Sequence, residues 1–590
     1  MDRRFYKQKR IILKFPKRPN KPVAVMLLAF SLPIACASED FNFKYPRNEA
    51  VNQASGGASI SGNYLAGRHA QAMSNTSQAT RYFSNALKLS PDSQSLIQRT
   101  FLMMASEGRI HEALPLAHKV LLKNPKALIA NLAVIAGDIQ AEHFVEAMKK
   151  VKDLPDGGIN GYVGPLLAAW TSIAQGETIK NALVHLTPLK QEGSKPIYYL
   201  HKALILDLKG DQEAAVIAYQ QEIKEQGSLV LRVAQLLGNL YERKGDTDKA
   251  KALYKQFSQD NPRSSIFRQA LKLLHAKTKP KPIILNAQHG AAESFFGIAT
   301  SLSQQNAKEM ALFFSRIGLY LRPDFPVMKI LLSNLLQLDG QLENANTVLL
   351  SIGASSAYSW PARLNAAENL NDLGRIDDAT KILVTMAEEE PKLAAPLIKL
   401  GHILRVRESF AEAQTAYDRA FQRIGTLQSH HWALLYARGI VLERTDQWER
   451  AEADFLKALE FNPDQPSILN YLGYSWVDQG RHLDQAKEMI QKAVNLRPND
   501  GYIIDSLGWA YFQLGEFDNS VKEIERAVEL KPEDPVLNDH LGDAFWRVGR
   551  KLEARYQWNR ALIFKPKDAL RVRINKKLTN GLPAILNKSN

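Results

Sequence analysis

Three related ten-residue stretches lie near the C-terminal end of the chain: YLGYSWVDQG from Tyr471, SLGWAYFQLG from Ser506 and HLGDAFWRVG from His540. Each stretch carries Leu-Gly at its second and third positions, and equivalent residues recur after 35 and then 34 residues. The apolar residues follow the i, i+3, i+4 and i+7 spacing of one helix face. The stretches therefore predict a helical unit that is repeated along the chain.

A second helix completes each unit. It carries a small residue, a large apolar residue, an alanine and a final proline, as at Ser520, Ile524, Ala527 and Pro532. Small residues let the two helices approach closely, and the proline ends the second helix. Toward the N-terminus, the small-residue position of the first helix recurs, mostly every 34 residues, at Gly439, Gly401, Ala367, Ser333, Ala299, Gly238, Ala203, Ala169, Ile135, Phe101 and Gly67.

The pattern resembles the tetratricopeptide repeat (TPR) family, whose helix–turn–helix unit has the consensus W-x2-L-G-x2-Y…A-x3-F…P. The match is strongest in the four C-terminal units and weakest around residues 128–200. The resemblance implies an all-α fold: a right-handed α–α superhelical solenoid of about 14 repeats in two segments. One helical hairpin cannot bury its apolar face alone, so neighbouring hairpins must stack. A chain of 590 residues can therefore form a repetitive fold in place of several globular domains.

The period breaks between Gly238 and Ala299, which are 61 residues apart. The inserted segment contains Lys-Thr-Lys-Pro-Lys-Pro at 277–282, and its Pro-Lys-Pro part should be extended because a proline restricts the residue before it. We interpret the insertion as a flexible joint between two solenoids. The predicted organisation is a signal peptide (1–37), a mobile lead (38–59), a solenoid of about six repeats (60–264), the joint (265–291), a solenoid of about eight repeats (292–568), and a capping helix with a tail (569–590).

The N-terminal end has the layout of an export signal. Residues 1–22 hold nine basic residues and one acidic residue, so this arm contributes +8 of the formal net charge of +15. The apolar stretch VAVMLLAFSLPIA follows at 23–35 and is short for a membrane span. A basic region, a short apolar region and small residues in this order are typical of a secretory signal. We therefore expect export to a bacterial envelope compartment.

Two processing sites stay open, with an uncleaved N-terminal anchor as a further alternative. Ala35-Cys36-Ala37 fits cleavage before Ser38. Leu32 to Cys36 resembles a bacterial lipobox, in which Cys36 would be lipidated and tether the chain to a membrane; Pro33 departs from that pattern. The expected location is therefore periplasmic or membrane-tethered.

The sequence contains little that indicates catalysis. Apolar residues make up 45% and charged residues 23%, which is typical of a folded soluble protein, and a single cysteine excludes a multi-cysteine zinc site. There is no G-x4-G-K-[ST] motif and no G-x-G-x-x-G motif, and His111-Glu112 lacks the second histidine of a zinc-protease helix. The adjacent pair His430-His431 fits a polar loop better than a metal site. We expect no enzymatic activity, no cofactor and no metal.

The resemblance implies that ligands bind on the concave face, which the first helix of each unit lines. In the unit that begins at Gly501, Leu507 and Gly508 belong to the packing stripe, and residues on the opposite side should face the groove. The predicted partner-binding residues of three successive units are Asn470, Tyr474, Asp478, Tyr502, Asp505, Trp509, Phe512, Gln513, Asp539, Asp543, Trp546 and Arg547. This mixture suits a basic or polar extended peptide. The competing interpretation is that the aromatic residues pack on neighbouring repeats.

These observations favour a protein-binding scaffold of the bacterial cell envelope, with proteins or extended peptides as partners. One alternative is an accessory or catalytic subunit that acts on envelope glycans, with the aromatic groove stacking on sugars. The other is a cytoplasmic adaptor, which requires that the N-terminal pattern is not a signal. Nucleic-acid binding is not expected, because no basic stripe runs along the helices.

Overall fold

The structure is a computed structural model that describes residues 59–261, 264–274 and 279–583. In these residues it contains thirty α-helices, two 3-10 helices and no strand. The predicted signal peptide, Cys36 and the lead up to residue 58 lie outside the described residues. No described helix is both long enough and apolar enough to cross a membrane.

The described residues form two compact units, 59–382 and 383–583, which we call the N-terminal and C-terminal units. The helices of the N-terminal unit are α1 (Ile60–Ala72), α2 (Thr76–Leu89), α3 (Gln94–Glu107), α4 (Ile110–Lys123), α5 (Leu128–Gln140), α6 (Phe144–Lys152), α7 (Asn160–Ala174), α8 (Ile179–His185), α9 (Lys195–Leu208), α10 (Gln212–Gln226), α11 (Leu231–Lys244), α12 (Thr247–Asp260), α13 (Arg268–Leu273), α14 (Ala287–Gln304), α15 (Lys308–Leu321), α16 (Pro326–Leu338), α17 (Leu342–Leu350) and α18 (Ser359–Asp372).

Helix α19 (Ile376–Glu389) contains the boundary between the two units. The helices of the C-terminal unit are α20 (Ala395–Val406), α21 (Phe410–Ile424), α22 (Trp432–Arg444), α23 (Trp448–Phe461), α24 (Pro466–Asp478), α25 (Leu483–Leu496), α26 (Gly501–Gln513), α27 (Phe517–Leu530), α28 (Pro535–Arg547), α29 (Lys551–Ile563) and α30 (Asp568–Asn580). The 3-10 helices are Thr187–Lys190 and Ser429–His431.

The helices follow one another as hairpins, as the repeat pattern predicts. Six pairs run from α1 to α12 and eight from α14 to α29, so the predicted all-α solenoid of about 14 repeats is confirmed. The small-residue positions are sites of close approach. A Cβ atom at Gly508 would lie 2.3 Å from Ile524 Cγ1, so only glycine allows this distance between α26 and α27. Helix α30 corresponds to the predicted capping helix.

The segment predicted as a joint does not separate two compact units. Hairpin α14–α15, which begins within the last residues of this segment, packs against the first helices α3, α5, α7 and α9 of earlier repeats. A Cβ atom at Gly290 would lie 2.3 Å from Trp170 Cδ2, and Gln288 Nε2 donates to the carbonyl oxygen of Ile139 at 3.1 Å. The buried carboxylate of Glu293 pairs with Arg232 of α11. Apolar contact and a buried ion pair thus join both sides of the insertion into one unit.

The insertion itself is attached to the N-terminal unit. Residues 279–282 are non-helical, as the Pro-Lys-Pro sequence predicts. Asn239 Nδ2 donates to the carbonyl oxygen of Lys281 at 3.0 Å, and Ile284 is buried. These contacts attach residues 281 and 284 to the N-terminal unit, and the flexible joint near 277–282 stays a prediction. Residues 277 and 278 lie outside the described part.

Candidate functional site

The first helices of the last repeats place most of the predicted binding residues along one side of the C-terminal unit. Helix α26 contacts α24 on one side and α28 on the other. The capping helix α30 continues this row in register, because Lys577 lies 34 residues after Asp543, which lies 34 residues after Trp509. We call the side formed by α24, α26, α28 and α30 the C-terminal groove.

An aromatic stack occupies the middle of the C-terminal groove. The indole of Trp509 lies parallel to the ring of Phe512, with centroids 4.7 Å apart, and to the ring of His540, with centroids 4.1 Å apart. Phe517 meets Phe512 edge to face at 5.4 Å. Offset-stacked and edge-to-face arrangements are those that aromatic quadrupoles favour. Trp509 and Phe512 remain half-exposed, so the stack packs on the next repeat and also offers apolar surface to the groove.

A buried ion pair lies beneath this stack. The Oδ2 and Oδ1 atoms of Asp505 lie 3.0 and 3.1 Å from His540 Nδ1, and each side chain belongs to a residue that is 5% exposed. Burial alone would lower the pKa of His540, but the charge and hydrogen bond of Asp505, aided by Asp539 and Asp543, raise this pKa above its usual value. Asp505 was predicted to face a ligand; it instead joins α26 to α28.

In the last repeat, Lys577 of α30 binds the buried aspartates as His540 binds Asp505. Its Nζ atom lies 2.8 Å from both carboxylate oxygens of Asp539 and 2.6 Å from Asp543 Oδ2. The indole Nε1 of Trp558 donates to Asp543 Oδ1 at 2.9 Å. Burial, and then the charge of Asp539, raise the pKa of Asp543 to about 6, which Lys577 opposes. The two predicted ligand-binding aspartates are therefore buried and bound by the chain itself.

The chain's C-terminal segment also covers the end of this repeat. Arg547 Nη1 donates to the carbonyl oxygen of Pro583 at 2.8 Å. A Cβ atom at Gly581 would lie 2.0 Å from Cζ2 of Trp546, so the backbone lies directly on the indole and no other residue fits there without a shift. Trp546 and Arg547 thus contact Gly581 and Pro583, in the last described residues.

The remaining predicted residues differ in exposure. Asn470 is buried and Tyr474 is half-exposed. Asp478 and Gln513 are exposed. Tyr502 is 39% exposed, and the Nζ atom of Lys531 lies 5.7 Å from the centroid of the Tyr502 ring. The accessible part of the groove therefore consists of Tyr474, Asp478, Tyr502, Trp509, Phe512 and Gln513.

Two residues that matter for the groove were absent from the prediction. His540 directly follows the predicted residue Asp539. Lys577 lies 34 residues after the predicted residue Asp543, so the 34-residue period could have indicated Lys577.

The adjacent histidines His430 and His431 lie in a 3-10 helix with ring centroids 3.9 Å apart. Within the described ranges no group of three His, Cys, Asp or Glu side chains is arranged to hold a metal ion.

Family models described as tetratricopeptide repeat match residues 235–264, 398–466, 436–501 and 504–534. The protein is built from tetratricopeptide repeats. The matched ranges lie in the last hairpin of the six-hairpin array and along the C-terminal unit. The C-terminal unit also contains the four repeats in which the sequence pattern is strongest.

Curated relatives of this TPR protein match it over short stretches. A TPR repeat-containing protein of Pseudomonas aeruginosa is 31% identical over 156 residues, which is 26% of this chain and 26% of the relative. A probable UDP-N-acetylglucosamine–peptide N-acetylglucosaminyltransferase, SPINDLY of Petunia hybrida, is 30% identical over 103 residues, which is 17% of this chain and 10% of the relative. The chain thus spans about a quarter or less of the length of these relatives.

Solved structures of helical-repeat proteins are also similar. The structure of YrrB, described as a TPR protein with an unusual peptide-binding site, covers 33% of this chain and 97% of its own length at 21% identity, with a TM-score of 0.27. The Cut9–Hcn1 hetero-tetramer of the APC/C covers 89% of this chain and 96% of its own at 14% identity, with a TM-score of 0.37.

Proposed function

We propose that this TPR protein is a non-catalytic scaffold of the bacterial cell envelope that holds a partner protein or extended peptide in its C-terminal groove. The half-exposed stack of Trp509 and Phe512 is the observation that supports this site best. Partly exposed, rigidly held aromatic side chains are the usual anchors of protein interfaces. The envelope context is supported by the signal-like N-terminal sequence.

The ion pairs within the groove favour a particular partner chemistry. Asp505, Asp539 and Asp543 are bound by His540 and Lys577, so they are not available to basic partner residues. The accessible side chains are mainly aromatic, with an amide at Gln513 and one carboxylate at Asp478. The sequence alone favoured a basic or polar extended peptide. We therefore infer that, of these two, the partner is polar and not basic, and that it presents apolar side chains with neutral polar groups.

Site-specific photo-crosslinking tests this proposal. A photo-reactive amino acid is placed at Asp478 or at Gln513, both exposed in the groove, and the chain is irradiated in envelope extract made with mild detergent. The matched control carries the same amino acid at Leu456, which is 43% exposed on the second helix α23 of the same unit. We expect one discrete adduct from both groove positions and none from position 456. Adducts from position 456 alone would refute the groove as the binding site.

The glycan alternative rests on the short match to a petunia transferase and on the groove aromatics. A glycosidase needs one carboxyl to protonate the leaving group and another positioned for attack or water activation. The buried carboxylates of Asp539 and Asp543 are bound by Lys577, which argues against such a catalytic role. We expect the purified chain neither to hydrolyse nor to transfer the sugar of UDP-N-acetylglucosamine. Release of UDP that depends on Asp539 or Asp543 would establish the alternative.

A further inference from the structure

Helix α29 exposes an apolar stripe. Leu552 is 84% exposed, Tyr556 65% and Ile563 72%. Their spacing of four and seven residues places them on one side of the helix, opposite the buried residues Trp558 and Ala561. Isolated exposed apolar residues are ordinary, but an aligned set on one helix is a feature that usually marks a contact surface.

This stripe is not a property of the repeat. One repeat earlier, the equivalent positions on α27 are Asp518, Lys522 and Glu529, and all three are exposed. The packing of the second helix therefore does not require apolar side chains on this side. Helix α29 therefore carries exposed apolar side chains where α27 carries charged ones.

Helices α29 and α30 and the loop between them carry all of the net positive charge outside the N-terminal arm. Residues 551–577 hold nine basic and two acidic residues, a net charge of +7. Since the arm holds +8 of the total of +15, all the other residues together are neutral. The exposed basic residues of these two helices and their loop are Lys551, Arg555, Lys565, Lys567, Arg571, Arg573 and Lys576.

Helix α30 extends the combination of apolar and basic groups. Leu570 and Ile574 are buried, whereas Val572 is 52% exposed and stands between Arg571 and Arg573. Helix α30 packs against α29. The two helices and their connecting loop, residues 551–580, thus form what we call the terminal basic hairpin.

We propose that the terminal basic hairpin is a docking surface for an anionic lipid bilayer. Protruding Leu, Tyr and Ile side chains enter the boundary between headgroups and acyl chains, while surrounding Lys and Arg side chains attract anionic headgroups. Nucleic acid fits this surface less well, because phosphate contacts use the cations and leave Leu552 and Ile563 exposed to water. The exposed side chains of this surface are different from the accessible residues of the C-terminal groove, so this proposal stands or falls independently of the partner proposed above.

A local fluorescent probe tests the proposal in the full chain. The N-terminal arm is also basic, so vesicle binding by the whole chain would not identify the surface. In a Cys36→Ser, Tyr556→Cys variant, a polarity-sensitive fluorophore is attached at position 556. Vesicles contain either equal parts of phosphatidylglycerol and phosphatidylcholine or phosphatidylcholine alone. We expect a blue shift with the anionic vesicles only, and its loss in 0.5 M salt because salt screens the attraction.

Matched variants separate the hairpin from the rest of the chain. Neutralising Lys565, Lys567, Arg573 and Lys576 with glutamine should weaken the binding that the probe reports by a factor on the order of a hundred or more. Neutralising the exposed lysines Lys119, Lys123, Lys126 and Lys209 of the N-terminal unit changes the net charge equally and should leave this binding unchanged. A probe at Val145, which is 71% exposed in the N-terminal unit, should show no shift.

Three outcomes would overturn the proposal. One is vesicle binding by the chain without a shift at position 556, which would assign binding to the arm. Another is an equal shift with phosphatidylcholine alone. The third is a larger shift with single-stranded DNA or polyglutamate than with anionic vesicles, which would identify an anionic polymer as the ligand.

Discussion

At the residue scale, Asp505 and His540 form a buried pair whose charge state depends on pH. Desolvation disfavours imidazolium, but the adjacent carboxylate and its hydrogen bond outweigh that cost and raise the pKa of His540. When the pKa of a group is higher in the folded chain than in the unfolded chain, its protonation stabilises the fold. This contribution is fully present at pH values below the pKa of the unfolded chain. This contribution is lost as pH rises through the folded value.

Asp505→Asn should therefore destabilise the protein most at low pH. Below pH of about 6.5, the usual histidine pKa, removing the carboxylate should cost about 2 kcal/mol or more, because a charged imidazole would stay buried without its partner. The difference from wild type should decrease as pH rises above this value. Urea unfolding between pH 5.5 and 8.5 measures it. The exposed control Asp478→Asn should change stability by less than about 0.5 kcal/mol throughout. A cost for Asp505→Asn that does not vary with pH would contradict the role given to His540.

At the scale of the element, α30 has two different faces. Its inner face completes the last repeat through Lys577, Leu570 and Ile574, and its outer face is the basic and apolar surface of the terminal basic hairpin. A terminal repeat has no following neighbour to cover it, so a helix with a polar outer face is the usual solution in solenoids. The ion pairs of Lys577 explain why α30 keeps the register of a first helix.

Lys577→Met should destabilise the C-terminal unit by about 3 kcal/mol at neutral pH, because Asp539 and Asp543 would be buried without a counter-charge. The adjacent, exposed Lys576→Met should cost less than about 0.5 kcal/mol. Since burial already raises the pKa of Asp543 to about 6, the Lys577 variant should recover stability as pH falls and the carboxylates bind protons.

A second change tests the cause of that loss. Adding Asp539→Asn to Lys577→Met removes one of the two uncompensated charges and should restore part of the lost stability. Thermal unfolding of the single and double variants, measured at pH 5.5 and 7.5, distinguishes the outcomes. If Lys577→Met melted like Lys576→Met, the ion pairs would contribute nothing to the attachment of α30.

At the scale of the whole molecule, the first helices differ between the two compact units in how much of their surface the chain itself covers. In the N-terminal unit, hairpin α14–α15 lies against α3, α5, α7 and α9, so part of that face is filled by the chain itself. In the C-terminal unit, Trp509 and Phe512 keep exposed surface. The proposed partner site is therefore in the C-terminal unit, although both units are built from the same type of repeat.

The proposed export predicts the mass of the mature protein. We expect a chain that begins at Ser38, or at a lipidated Cys36, when the protein is purified from the cells that produce it. Intact-mass spectrometry distinguishes the two, and Cys36→Ser should release the protein from membranes only in the second case. Retention of residues 1–35 in a cytosolic fraction would exclude export and favour the adaptor alternative.

The 34-residue period was sufficient to predict the all-α class, the fourteen hairpins and the close approach at Gly508, since these depend on residues within one or two repeats. It also selected first-helix positions that line the C-terminal groove. It could not show which of them are accessible. Asp505, Asp539 and Asp543 face the groove side by their register, yet His540 and Lys577 from the following helices bind and bury them.

The contact of α14 with α7 was likewise beyond local pattern, because Trp170 and Gly290 are 120 residues apart and nothing in their own repeats requires them to meet. Repeat periodicity reports how each hairpin buries its apolar face against its neighbours. Whether the remaining surface stays open depends on long-range packing and on the pairing of buried charges, and only the tertiary structure contains those contacts.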